Sequence, residues 1–152
     1  MKVKNMRSLL ILNGPNLNFL GRRQPDIYGI TTLKDIEGLC ATHAQALGIM
    51  IVCQQSNHEG TLIDAIHQAE QTHDGLIINA GAYTHTSIAL MDAITAVGLP
   101  TVEVHMSNIH RREEYRHSSY IAQVAVGQIC GFGATGYVLA MDALCAHLKT
   151  IM

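Results

Sequence analysis

Glu103 and His105 stand two residues apart at the end of the apolar run Thr101 to Val104, the spacing that sends both side chains to one face of a β-strand. A carboxylate beside an imidazole fixes the ring tautomer and favours the charged form, which makes a competent proton donor near neutral pH. A satisfied structural pair has the same spacing, but a pair that ends a central-looking strand favours the catalytic reading. Tyr28 is a different case. A phenol ionises near pH ~10, so it acts as a base only where cations stabilise its phenolate, and Arg22 and Arg23 are close enough in sequence to do so. A loop tyrosine also serves simply as a surface or lid-packing residue.

The other polar candidates cluster near strand ends. Asn13 and Asn16 flank a Gly-Pro turn; their amides cap that turn, or one of them stabilises an enolate oxygen directly or through water. Asn79-Ala80-Gly81 leads through Tyr83 to Thr86 into a helix start, where free backbone N–H groups favour an anion. His85 and Asp92, seven apart, fall two turns along one helical face and read either as contacts to substrate hydroxyls or as an ordinary polar turn with a solvated aspartate. Arg112 and Arg116, four apart, project from one side of a helical turn toward a carboxylate or hydroxyls, with Glu113 and Glu114 offering plain surface ion pairs instead. Met106-Ser107 adds backbone donors and a hydroxyl suited to a carboxylate. Together these groups suit a small polyhydroxylated acid.

Such residues need elements to bring them together. Three apolar runs, Ser8 to Leu12, Gly75 to Ile78 and Thr101 to Val104, each stop at one of these polar clusters. In an open parallel α/β sheet the carboxyl ends of strands line the ligand crevice, so the three stops converge on one pocket. Further strands are expected at Met50 to Gln54 and Tyr120 to Ile129. Helical spacing follows Thr32, with Thr32-x-x-Asp35 as a cap and Gly48 as a stop, and recurs at Gly60 to Thr72, Thr86 to Val97 and from about Gly136 to Lys149. Five strands with five following helical segments predict a doubly wound α/β domain, without setting strand order. Asn13 to Ile30 is too long for an ordinary connection of this class and reads as a lid, its charged and aromatic tip flanked by Gly21 and Gly29.

The whole chain narrows the function class. Its 152 residues suit one domain, 1–152, and a net charge of −2 gives no basic field for nucleic acid. No apolar stretch is long enough to span a bilayer, and the run after Lys2, Lys4 and Arg7 is shorter than a signal peptide requires, so Met1 to Met6 reads as a leader to the first strand. Cys40, Cys53, Cys130 and Cys145 lack C-x-x-C spacing and read as buried free thiols, in keeping with a cytoplasmic protein. Nine histidines show no H-E-x-x-H or H-x-H spacing, so no metal site is expected. Gly131 to Gly136 matches G-x-G-x-x-G, but neither a following strand nor an acidic residue about 20 positions on completes a dinucleotide unit; glycines for close helix–sheet packing are the better account. A non-enzymatic module binding a nucleotide or flavin at the same sheet edge stands as the alternative function. Hydrophobic content of 48% beside 14% charged residues points to subunit contacts.

ILNGPNLNFLGRRQPDIYG, INAGAYTHTSIALMDAI and VEVHMSNIHRREEYRHSS, in that order, closely resemble the type II 3-dehydroquinate dehydratases, over essentially the whole chain from Arg7 onward. The resemblance implies a flavodoxin-like five-stranded sheet in the order 2-1-3-4-5, a homododecamer built as a tetramer of trimers, and no cofactor or metal. It implies anti dehydration of 3-dehydroquinate to 3-dehydroshikimate through an enolate, a reaction shared by aromatic amino acid (chorismate) biosynthesis and quinate breakdown. On that likeness Tyr28 takes the C2 proton, Arg23 keeps it anionic, and Asn16 steadies the enolate through a water. His105 protonates the departing C1 hydroxyl, with Glu103 orienting it. Asn79, Met106 and Ser107 hold the carboxylate, His85 and Arg116 the ring hydroxyls, and Arg112 tunes lid and pocket electrostatics. Asp92 reaches into a neighbouring subunit's site. Arg111, Met91 and Tyr115 depart from the family's usual alanine, arginine and phenylalanine, and Met91 removes a charge beside Asp92. Lys2, Lys4, Lys34 and Lys149 do not end strands, so the lysine chemistry of the type I enzymes has no candidate.

Overall fold

The computed structural model describes residues 6–22 and 24–151, and of Tyr28 the backbone. Five strands, β1 (Ser8–Asn13), β2 (Met50–Gln55), β3 (Gly75–Asn79), β4 (Thr101–His105) and β5 (Gly127–Cys130), form one wholly parallel sheet in the order β2-β1-β3-β4-β5. β1, β3 and β4 are buried along their whole length, which is why their sequences are apolar runs rather than alternations. β2 and β5 are the edges.

Alternation assigns each side chain a face. Leu9, Ile11, Ile77, Val102 and Val104 pack with α2 (Leu33–Leu47) and α5 (Thr135–Thr150), whereas Leu10, Leu12, Leu76 and Ile78 pack with α3 (Glu59–Thr72) and α4 (Ile88–Val97). By the same period, Asn13 and Asn79 turn toward α5 and Glu103 toward the α3–α4 side. The helix signals read from sequence hold at α2, where Thr32 and Asp35 form a reciprocal capping box and Gly48 closes the helix at φ +65°. Gly98 closes α4 in the same way, at φ +66°.

Three expectations need correction. The last strand is not Tyr120 to Ile129: residues 120–124 turn, with the Ala122 N–H held by Ser119 Oγ at 3.0 Å and the Val124 N–H by Ile121 O at 3.1 Å. Ile121 and Val124, three apart, pack into the core from that turn, so their apolar character was not strand periodicity. Helical segments do not follow all five strands at comparable length, because β4 leads only into short 3₁₀ turns at Ile109–Arg111 and Glu114–Arg116. Finally, α4 begins at Ile88 rather than Thr86; Ser87 caps it by accepting the Leu90 N–H at 2.9 Å, and a 3₁₀ turn, Gly81–His85, precedes it.

The connection leaving β1 has structure of its own. It holds a 3₁₀ turn at Leu17–Phe19 and the short helix α1 (Pro25–Tyr28), and Leu17 and Leu20 anchor its first half in the α2–α5 core. The N-terminal residues 1–5 of the expected leader lie outside the described residues.

Candidate active site

The strand order reverses between β1 and β3, and the crevice opens at their carboxyl ends. Its walls come from the three places where apolar runs stop: Pro15, Asn16, Leu17 and Leu20 after β1; Asn79, Gly81, Ala82 and His85 at β3; His105, Met106, Ser107, Ile109, Arg112 and Arg116 at and after β4. The loops after β1 and β3 touch closely. Gly14 N–H donates to Asn79 O at 2.7 Å, and a Cβ on Gly14 would sit 2.5 Å from Ala80 O, so only glycine fits between them.

At the end of β4, His105 Nε2 lies 2.8 Å from Glu103 Oε1, both side chains being almost wholly buried. Because Nε2 meets the carboxylate, Nδ1 is the ring nitrogen left for a substrate. Thr84 and Ser119 donate to the same carboxylate oxygen at 3.0 and 2.6 Å, and Gln128 Nε2 donates to the other at 2.7 Å. Burial pushes the Glu103 carboxyl up, but the His105 hydrogen bond and charge, with the Ser119 and Gln128 hydrogen bonds, outweigh it and hold the group below its ordinary 4.5. It therefore stays ionised beside the imidazole.

His85 stacks on His105, with ring centroids 6.4 Å apart and planes 18° from parallel. Its Nδ1–H donates to Ser118 O at 2.8 Å, which turns Nε2 into an acceptor. Burial, with the charges of His105 and Arg116, lowers its pKa against the opposing pull of that hydrogen bond and of Glu103. Arg116 Nε pairs with Glu113 at 3.0 Å and Arg112 Nε approaches the same carboxylate at 3.6 Å, while Arg112 also reaches Ser107 Oγ at 3.5 Å. The ion pairs with Glu113 are thus present, and each arginine also lines the crevice. The two do not share one helical turn: Arg112 is extended between the 3₁₀ turns. Nor do His85 and Asp92 share a helix face, because His85 ends the 3₁₀ turn before α4 while Asp92 stands exposed on α4, away from this crevice.

Asn16 sits at φ +68°, an uncommon left-handed conformation for a residue other than glycine. Its N–H donates to Asn57 Oδ1 at 3.0 Å, Gln55 Nε2 donates to the same oxygen at 3.2 Å, and Tyr83 Oη donates to Asn57 O at 3.1 Å. Asn57 therefore ties the β1, β2 and β3 loops together. Neither it nor Thr84, Ser119 and Gln128 stood out in the sequence; one available signal was the polar run Gln54-Gln55-Ser56-Asn57-His58 at a strand's carboxyl end. Arg23 and the side chain of Tyr28 lie outside the described residues.

Among the described residues no three or more His, Cys, Asp or Glu side chains are grouped to hold a metal ion, and no helix is long and apolar enough to cross a membrane. The four cysteines are free; Cys40 and Cys145 are buried, but Cys53 and Cys130 only partly so, and burial pushes the Cys40 thiol up to about 12 and the Cys53 and Cys130 thiols to about 11. The glycine-rich fragment opens α5, and a Cβ on Gly136 would press on Val104 Cγ2 at 3.2 Å, which agrees with close helix–sheet packing.

Comparison with known proteins agrees with this architecture. The chain is 64% identical over 144 residues to a 3-dehydroquinate dehydratase of Ruegeria pomeroyi, covering 95% of this chain and 97% of the relative. It is 66% identical over 140 residues to that of Dinoroseobacter shibae, covering 92% and 93%. The crystal structure of a type II dehydroquinase from Butyrivibrio crossotus superposes with a TM-score of 0.90 at 44% identity, over 92% of this chain and 98% of that one. The sheet is thus the flavodoxin-like sheet of those enzymes. With the profile of the family described as Dehydroquinase class II matching residues 7–145, the chain belongs to the class II dehydroquinases.

Proposed function

We propose that this chain, acting as one catalytic domain, dehydrates 3-dehydroquinate to 3-dehydroshikimate by anti elimination through an enolate. The observation that carries the reading is the buried His105–Glu103 pair, 2.8 Å apart, opening onto a crevice that also presents Asn79, His85, Arg112 and Arg116. Elimination beside a ketone needs a base, an enolate stabiliser and an acid. Tyr28, its phenolate stabilised by Arg23, removes a proton from C2, and the electron pair moves onto the C3 carbonyl oxygen. Asn16 steadies that oxygen through a water. As the carbonyl re-forms, the double bond is made between C1 and C2, the C1–O bond breaks, and His105 gives its proton to the leaving hydroxyl to make water. Glu103 holds the ring and compensates its charge until that step. Asn79, Met106 and Ser107 bind the carboxylate, His85 and Arg116 contact ring hydroxyls, and Arg112 tunes the field at the lid.

The reaction uses no cofactor or metal. The active form is a cytoplasmic homododecamer, a tetramer of trimers, in which Asp92 completes the site of a neighbouring subunit. Its exposure on α4, outside this chain's own crevice, suits that role.

Purified protein is mixed with 3-dehydroquinate and the absorbance of the enone product followed. Turnover is expected, undiminished by a chelator, and Y28F should lower kcat by at least about 10²-fold, in line with the loss of a positioned base. No enone formation by folded protein would overturn the activity; near-normal turnover by Y28F would overturn the assignment of the base.

A further inference from the structure

We propose that Tyr137, which does not line the crevice, is a positioning residue for substrate: its hydroxyl locks the Asn79 amide in the orientation that presents an N–H to the substrate carboxylate. This rests on the reading of Asn79 as a carboxylate contact. Asn13 and Asn79 are register partners at the carboxyl ends of β1 and β3, and both turn toward α5. Tyr137, in the first turn of α5, is completely buried beneath them. Its Oη donates to Asn13 Oδ1 at 2.6 Å and accepts from Asn79 Nδ2 at 2.9 Å. The other end of the Asn79 amide is held as well, since Oδ1 accepts the Gly81 N–H at 3.2 Å.

These contacts admit one orientation. If the Asn79 amide were reversed, its NH₂ would face the Gly81 N–H, donor against donor, and the phenol proton would have to leave Asn13 to meet the oxygen. With the observed orientation, one Nδ2 hydrogen goes to Tyr137 and the second is the one that remains for a ligand. Burial pushes the Tyr137 phenol well above its ordinary 10, so the hydroxyl stays protonated and keeps donating to Asn13 at any working pH. Among the described residues Asn13 Nδ2 is buried with no hydrogen-bond partner, so the phenol is what orients that side chain too. Removing one oxygen atom would release the Asn13 amide and leave the Asn79 amide held by the Gly81 N–H alone.

The rival account is that the hydroxyl merely satisfies buried amides and serves stability. Steady-state kinetics separates the two, because loss of ground-state binding raises KM without lowering kcat, whereas loosening of the fold lowers the melting temperature without that split. Y137F keeps the ring and is expected to raise KM for 3-dehydroquinate about three- to tenfold, the effect of a weakened hydrogen bond to a charged group, with kcat within about twofold of wild type. N79A should raise KM further, and the N79A/Y137F double variant should match N79A, since with no amide to orient the phenol has nothing left to contribute. N13A leaves the Tyr137 hydroxyl in place to accept from Asn79 Nδ2 but frees its proton, so its KM should rise less than that of Y137F even where its melting temperature falls. A raised KM for N79A beside an unchanged KM for Y137F, or effects that multiply in the double variant, would overturn the role of Tyr137 alone. An N79A variant with wild-type KM would overturn the carboxylate reading of Asn79 and this role with it.

Discussion

Replacing Glu103 with glutamine tests what the carboxylate does for His105 at almost constant shape. The side chain is fully buried and takes three donors on Oε1 (His105, Thr84 and Ser119) and one on Oε2 (Gln128). A glutamine oxygen can replace Oε1, and its NH₂ can meet Gln128 if that amide turns to offer its own oxygen, so every partner is kept and only the negative charge goes. Unit charges about 4 Å apart at an effective dielectric of about 20 attract by roughly 4 kcal/mol. Replacing a charge-assisted hydrogen bond by a neutral one loses about 1 to 2 kcal/mol. Withdrawing roughly 2 to 4 kcal/mol of that interaction from the transition state lowers kcat about 30- to 1,000-fold. The enone assay should show that fall with KM changed by less than about threefold. Folded E103Q retaining more than about a third of wild-type kcat would refute the claim that the buried charge prepares the acid.

The same carboxylate should leave a mark on acid stability. Its folded pKa lies below its ordinary 4.5, so its stabilisation is complete above about 4.5 and lost as pH falls through the folded value; melting temperatures followed from pH 7 to 3 should decline less steeply for E103Q than for wild type. By NMR titration the His85 imidazole should protonate below its ordinary 6.5, and a midpoint above 6.5 would contradict the dominance of burial there. G14A places a Cβ 2.5 Å from Ala80 O, so the β1 and β3 loops must part; a loss of about 1 to 3 kcal/mol in denaturant unfolding and a large fall in kcat/KM are expected. N57L removes the acceptor that holds the Asn16 N–H and should lower kcat several-fold, the scale of one hydrogen bond, whereas N57D keeps an acceptor and should retain most activity; equal effects of the two would refute a positioning role for Asn57.

Much of this was legible locally because local rules generated it. The pair at 103 and 105 shares a face because strand side chains repeat every two residues, and the Thr32 cap and Gly48 stop act within a few residues of themselves. Where the reading failed, tertiary packing outweighed local pattern: apolar Ile121 and Val124 look like strand residues until a Ser119-capped turn carries them into the core. His85 and Asp92 have helical spacing, yet a 3₁₀ turn and the Ser87 cap separate them.

From the chain alone came the three strand ends, the Glu103–His105 pair and the polar groups of the crevice, all consequences of short-range periodicity and turn chemistry. Only the tertiary structure decided that Thr84, Ser119 and Gln128 converge on Glu103, and that Tyr137, 124 residues from Asn13 along the chain, joins the ends of β1 and β3. Those contacts depend on which helix covers which face of the sheet, and hydrogen bonds between residues so far apart leave no period in the sequence to read.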